Sequence, residues 1–145
     1  MTVLNVENIF GGYGGANILN GISLDVNESE MVVIIGPNGS GKSTTLKSIC
    51  GLVNVNSGHV MFNGKDITNF RTDKLASHKI GFVPQEKNIF SSLSVNENLE
   101  MGAYLSKKSR KYIQHLADKI YDIFPPLKTK KKLPASYLSG GQRQM

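Results

Sequence analysis

The stretch GPNGSGKST, residues 36–44, is where the chain's residue types and spacing most plainly imply chemistry. It fits G-x-x-x-x-G-K-[ST] through Gly36, Gly41, Lys42 and Ser43, with Pro37, Asn38, Gly39 and Ser40 between the glycines and Thr44 after them. Glycines so placed let the backbone wrap closely, and several N–H groups then converge on phosphate oxygens. A helix starting at Lys42 adds the positive end of its dipole. The Lys42 ammonium brings a point charge to the β- and γ-phosphates, and the Ser43 hydroxyl is placed to hold Mg2+. A chance glycine turn would lack the flanks this mechanism needs. Here an apolar, β-branched run, MVVIIG (31–36), leads in as a strand buried on both faces. A helix of about 42–50, stopped by Gly51, leads out. The ligand implied is a nucleoside triphosphate.

A second glycine pair stands in LSGGQ, residues 138–142. By itself Ser-Gly-Gly is more often a linker or a helix cap than a ligand site. A helix opening at Ser139, Gly140 and Gly141 would nonetheless offer free N–H groups and a hydroxyl to an anion. Two single residues sit at suggestive places: Gln85 at the end of FVPQ (82–85) and Tyr13 in GGYGG (11–15). Taken alone, Gln85 reads as a loop residue, and Tyr13 as a packing aromatic whose π-face suits any flat ring.

Stepping outward, the elements that must position these residues fall in a definite order. TVLNVE (2–7) and ISLDV (22–26) alternate as strands on either side of the glycine-rich 10–15 loop. HVMFNGKDI (59–67) reads as a hairpin with Asn63-Gly64 at its turn. A short helix near 72–78 leads into IGFV (80–83), a further buried strand closed by Pro84. Then the character turns helical. Ser94 and Glu97 form a capping box ahead of a helix to about Leu105. From Ser109 to Phe124 the apolar residues Ile113, Leu116, Ala117, Ile120, Tyr121 and Phe124 share one helical face, and Pro125-Pro126 ends that helix. Lys128, Lys130, Lys131 and Lys132 read as a solvated linker.

Composition bounds the class. With 39% hydrophobic and 19% charged residues in 145, the chain fits a globular domain or a piece of one. No apolar run approaches the roughly 20 residues of a membrane span, and the N-terminus lacks a secretory pattern. The one cysteine, Cys50, reads as a small buried helix residue and fits a reducing cytoplasm. Net charge is +6, concentrated after residue 100, where ten Lys/Arg stand against two Asp/Glu. A basic end of this kind opens a nucleic-acid or anionic-membrane reading, against the blander one of balancing acids elsewhere.

GPNGSGKST and LSGGQ, at this separation, closely resemble the phosphate loop and signature of the ATP-binding-cassette (ABC) ATPases. The resemblance implies an α/β P-loop NTPase fold: an N-terminal antiparallel β-subdomain and part of a RecA-like core in about 1–86, a helical subdomain in about 87–137, and the start of the signature helix in 138–145. It implies ATP and Mg2+ as ligands, with Gln85 matching the family's glutamine that reaches the metal and attacking water, and Tyr13 its adenine-stacking aromatic. NENLEMGAY (96–104), YDIFPPLK (121–128) and LSGGQRQM are further similar to the ATPase subunits of branched-chain amino-acid importers. One subunit type there often carries Glu where Gln85 stands, so both types stay open.

The partners implied are a second ABC ATPase domain bound head to tail, transmembrane permease subunits and an extracytoplasmic substrate-binding protein, with no nucleic acid. The site of action implied is the cytoplasmic face of the membrane. The alternative is a soluble relative acting on nucleic acid or ribosomes; the span between Gln85 and Leu138 carries no sustained heptads of the kind repair members insert. The family's Mg-binding aspartate, catalytic glutamate and sensing histidine follow the signature. The chain is therefore expected to be an N-terminal fragment, negligible in hydrolysis and aggregation-prone or only partly folded on its own. His59, His78 and His115 precede the signature and read as surface histidines.

Overall fold

The computed structural model describes residues 1–85, 88–104 and 108–145. They form two compact units, residues 1–82 and 83–145, each with its own apolar core. Among the described residues no helix is long and apolar enough to cross a membrane.

The first unit is built on an antiparallel sheet of β1 (Thr2–Tyr13), β2 (Ala16–Asn27), β3 (Asn54–Phe62) and β4 (Lys65–Asp66), in the order β2-β1-β3-β4. Alternation aims Val6 inward, paired with Leu24 on one side and Val60 on the other. Strict period two would then turn Ile9 outward, yet Ile9 is fully buried. A register shift between Val6 and Ile9, with Asn8 at φ 47°, adds the residue that brings Ile9 back to the core. The Asn63-Gly64 turn has both φ values positive, at 48° and 75°, as its hairpin requires. Helix α1 (Lys42–Ile49) and α2 (Thr72–Ser77) complete the unit, and Ile49, Cys50, Ile67 and Leu75 share its core with Val6, Ile9 and Leu19. Each such aliphatic side chain contributes roughly 1.5–3 kcal/mol by leaving water.

Two expected strands are not strands. Residues 31–36 carry no regular structure, and Met31, Val33 and Ile35 are 89%, 71% and 87% exposed. Residues 80–83 likewise pair with no strand among the described residues; Ile80 and Phe82 pack partly on the first core, while Val83 is 75% exposed. The reason is physical. A doubly buried strand needs neighbours on both edges and covers on both faces, and no described segment supplies them. The 10–15 loop is also shorter than expected, because Phe10, Gly11, Gly12 and Tyr13 belong to β1 and only Gly14-Gly15 turn the chain.

The second unit holds α3 (Val95–Gly102), α4 (Arg110–Ile123), α5 (Pro125–Thr129), a 3-10 turn at Ala135–Tyr137 and α6 (Gly140–Gln144). Leu105 lies outside the described residues, and α3 ends at Gly102. Val95, Ala117, Tyr121, Leu127, Ala135 and Leu138 make its core. Leu116, expected inside, is 40% exposed. Pro125 does end α4, as expected, but it also starts α5, whose fixed φ suits a first helical position. Residues 128–132 are therefore less of a free linker than their charge suggested.

The phosphate loop and the signature segment

The loop before α1 has the shape that its residue types require. The Ser40 N–H donates to the Pro37 carbonyl at 3.3 Å, closing a turn, and Gly39 and Gly41 stand at φ 85° and 88°. Gly41 is the helix N-cap, in the left-handed region where a side chain would be strained. An added Cβ there would also press Leu19 Cδ2 at 3.3 Å, so β2 sets how closely the loop approaches the sheet. The Gly41 carbonyl accepts from the Thr45 N–H at 2.8 Å and from the buried Thr45 hydroxyl at 3.0 Å, fixing the first turn of α1.

Lys42 folds back over this loop. Its Nζ donates to the Gly36 carbonyl at 2.8 Å and to the Pro37 carbonyl at 2.6 Å. An ammonium has three N–H donors, so one remains for a phosphate oxygen at the helix start. Gly36, Pro37, Asn38, Gly39 and Ser40 are exposed, as is Ser43 on the first turn, whereas Thr44 is buried. An exposed hydroxyl beside a lysine at a helix N-terminus fits Mg2+, which takes few protein ligands and completes its shell with water and phosphate oxygens. Tyr13 ends β1 with about half its surface free, 49%, leaving a face open for stacking. Cys50 lies buried at the end of α1, and that burial pushes its thiol pKa up, away from reactivity. His59 pairs with Asp66 at 3.1 Å, and His78 meets Lys65 at 2.9 Å; both are occupied by residues of the first unit.

In the second unit, Gln85 is exposed, and its carbonyl accepts from Gln144 Nε2 at 3.5 Å. The signature segment is held from two directions. Backbone bonds stitch 91–96 to 131–136: Val95 N–H to Leu133 O at 3.0 Å, Asn96 N–H to Lys131 O at 3.0 Å, Ala135 N–H to Leu93 O at 2.8 Å. Buried Leu138 then anchors the segment in the core. Ser139 caps α6, accepting from the Gln142 N–H at 3.3 Å, while the Gln142 side chain accepts from the Ser139 N–H at 3.2 Å. Gly140 and Gly141 occupy the first turn, where helical N–H groups have no intrahelical acceptor.

The helix start at Ser139, Gly140 and Gly141 was legible, and its capping box is written in the sequence as S-x-x-Q at 139–142. Asn98 was not legible. Its amide donates to the carbonyls of Phe90, Leu93 and Ser94 and accepts from the Phe90 N–H at 2.8 Å, fastening the segment after Gln85 onto α3. An asparagine inside a helix gives no local sign of such a role.

A family model described as ABC transporter matches residues 19–145. This chain belongs to that family. A probable branched-chain amino acid transport ATP-binding protein, LivF, of Archaeoglobus fulgidus is 39% identical over 99% of this chain and 60% of its own length. The lipopolysaccharide export system ATP-binding protein LptB of Haemophilus influenzae is 34% identical over the same shares of the two chains. The crystal structure of a nucleotide-free ATP-binding cassette from an ABC transporter superposes with a TM-score of 0.84 at 34% identity, over 99% of this chain and 62% of that one. The chain thus spans about 60% of the length of the curated relatives it matches. The α/β P-loop NTPase fold expected from the sequence is the fold of these relatives.

Proposed function

We propose that the chain is the nucleotide-binding part of an ATP-hydrolysing subunit that powers a membrane transporter, and that the cargo is a branched-chain or other amino acid. The loop at 36–42 carries this reading: its turn, its left-handed glycines and the folded-back Lys42 wrap the backbone at the start of α1 as phosphate binding requires. At this loop, backbone N–H groups grip the phosphates, Lys42 offsets their charge, Ser43 would hold Mg2+, and Tyr13 stacks on the base. Mg2+ held there would supply neutralisation of the phosphate charge. Residues 1–86 carry the nucleotide, 87–137 form the helical subdomain, and 138–145 open the signature helix.

In this reading two such domains meet head to tail, with each ATP between the phosphate loop of one and Ser139, Gly140, Gly141 and Gln142 of the other. ATP then favours the closed pair because only that state completes the site, the differential affinity any ligand-driven switch requires. Gln85 and the helical subdomain pass the movement to permease subunits in the membrane, fed from outside by a substrate-binding protein. Cargo rests on the relatives' names: LivF and BraG of Pseudomonas aeruginosa are named for branched-chain amino acid transport, whereas LptB is named for lipopolysaccharide export and CysA of Bacillus cereus for sulfate/thiosulfate import. Uptake of radiolabelled leucine, isoleucine and valine by cells carrying the protein tests it. Lys42→Ala is expected to abolish uptake; uptake at the parental rate would refute the transport role, and loss of sulfate uptake alone would refute the cargo.

A further inference from the structure

Lys130 was read from the sequence as one of a run of solvated lysines, but its setting differs from that of its neighbours. Lys128 makes an exposed pair with Asp122 at 3.3 Å. Lys130 is half-buried, and its Nζ donates to Gln142 Oε1 at 3.0 Å. That oxygen is the one that also accepts the Ser139 N–H at 3.2 Å. Its two lone pairs are thereby both engaged.

The backbone under Lys130 is fixed as well. Its N–H donates to Leu127 O at 3.1 Å, its carbonyl accepts from Leu133 N–H at 2.9 Å, and the next residue is stitched to Asn96. An ammonium has donors and no acceptor, so together with the Ser139 N–H it sets which end of the Gln142 amide faces inward. Among the described residues the Nε2 end has no acceptor, and Gln142 presents donors to whatever approaches. We propose that Lys130 is the positioning residue that orients the Gln142 amide so that this side chain meets an anionic, acceptor-rich ligand with its N–H groups. This rests on the reading of 138–142 as the half-site for the opposing nucleotide. Lys130 itself need not touch that nucleotide.

Charge at position 130 sets the amide's orientation, which gives the test an order rather than a single loss. In the full-length protein reconstituted with its membrane partners, Lys130→Arg keeps a donor and holds kcat for MgATP within about two-fold of the parent. Lys130→Met keeps the length, loses the donor, and lowers kcat about ten-fold, the lower end of what a hydrogen bond to a charged group contributes. Lys130→Glu turns the amide round, aims Oε1 at the phosphates, and falls below Lys130→Met. MgATP affinity of the isolated subunit stays at the parental value in all three, because the phosphate loop is untouched; a matching loss of affinity would mean general damage and overturn the proposal. Equal rates for Lys130→Met and the parent, or an arginine variant as slow as the methionine one, would also overturn it. Gly140→Asp is the control for the underlying reading. If it hydrolyses normally, the half-site itself is wrong; if it is blocked while Lys130→Met is not, only the role of Lys130 fails.

Discussion

Lys42 and Gly41 depend on each other. The lysine's fold-back onto the Gly36 and Pro37 carbonyls holds the loop round, and the left-handed Gly41 turns that loop into α1. Gly41→Ala places a Cβ at φ 88° and 3.3 Å from Leu19 Cδ2. The backbone strain alone costs about 1–2 kcal/mol for a residue with a Cβ. A fall of that size in denaturant stability, with weaker triphosphate binding, is the expected result; unchanged values in both would show that the loop tolerates another path. At this scale the sequence was most informative. Gly36, Gly41, Lys42 and Ser43 were readable because the chemistry demands those types at that spacing. Lys130 was unreadable because nothing local says that a lysine in a basic run meets a glutamine twelve residues on.

Elements were legible where their ends are marked by local chemistry. The Ser94–Glu97 box starts α3 where the sequence placed it, with the Ser94 N–H on Glu97 Oε2 at 2.7 Å and the Glu97 N–H on Ser94 Oγ at 3.2 Å. The Ser94 side chain, then its backbone, hold the Glu97 carboxyl below its ordinary pKa. Because the folded value is depressed, the carboxylate favours the folded state above its unfolded pKa of roughly 4.3 and loses that contribution as pH falls through the lower folded value. Glu97→Gln should therefore leave less acid dependence below about pH 4.3 than the parent shows. Identical acid profiles for the two would mean that the box does not form in solution. The 31–36 and 80–83 segments failed at the same scale for the opposite reason. Apolar, β-branched runs signal burial, but becoming a strand requires partners that their own residues do not supply.

For the whole molecule, the order of strands, phosphate loop, helical segment and signature was visible in the sequence, and the family match over 19–145 agrees with it. The division into 1–82 and 83–145 was not sharply marked, because Phe82 and Val83 belong to one apolar run yet fall on either side of it. The central claim is that residues 36–44 grip the terminal phosphates of a nucleotide, and titration calorimetry with MgATP, with AMP as the comparison, tests it most directly. The account predicts binding of MgATP but not of AMP, weakened at least about ten-fold by Lys42→Ala through a lost charge-assisted bond. Equal affinity for MgATP in the parent and Lys42→Ala proteins would contradict it.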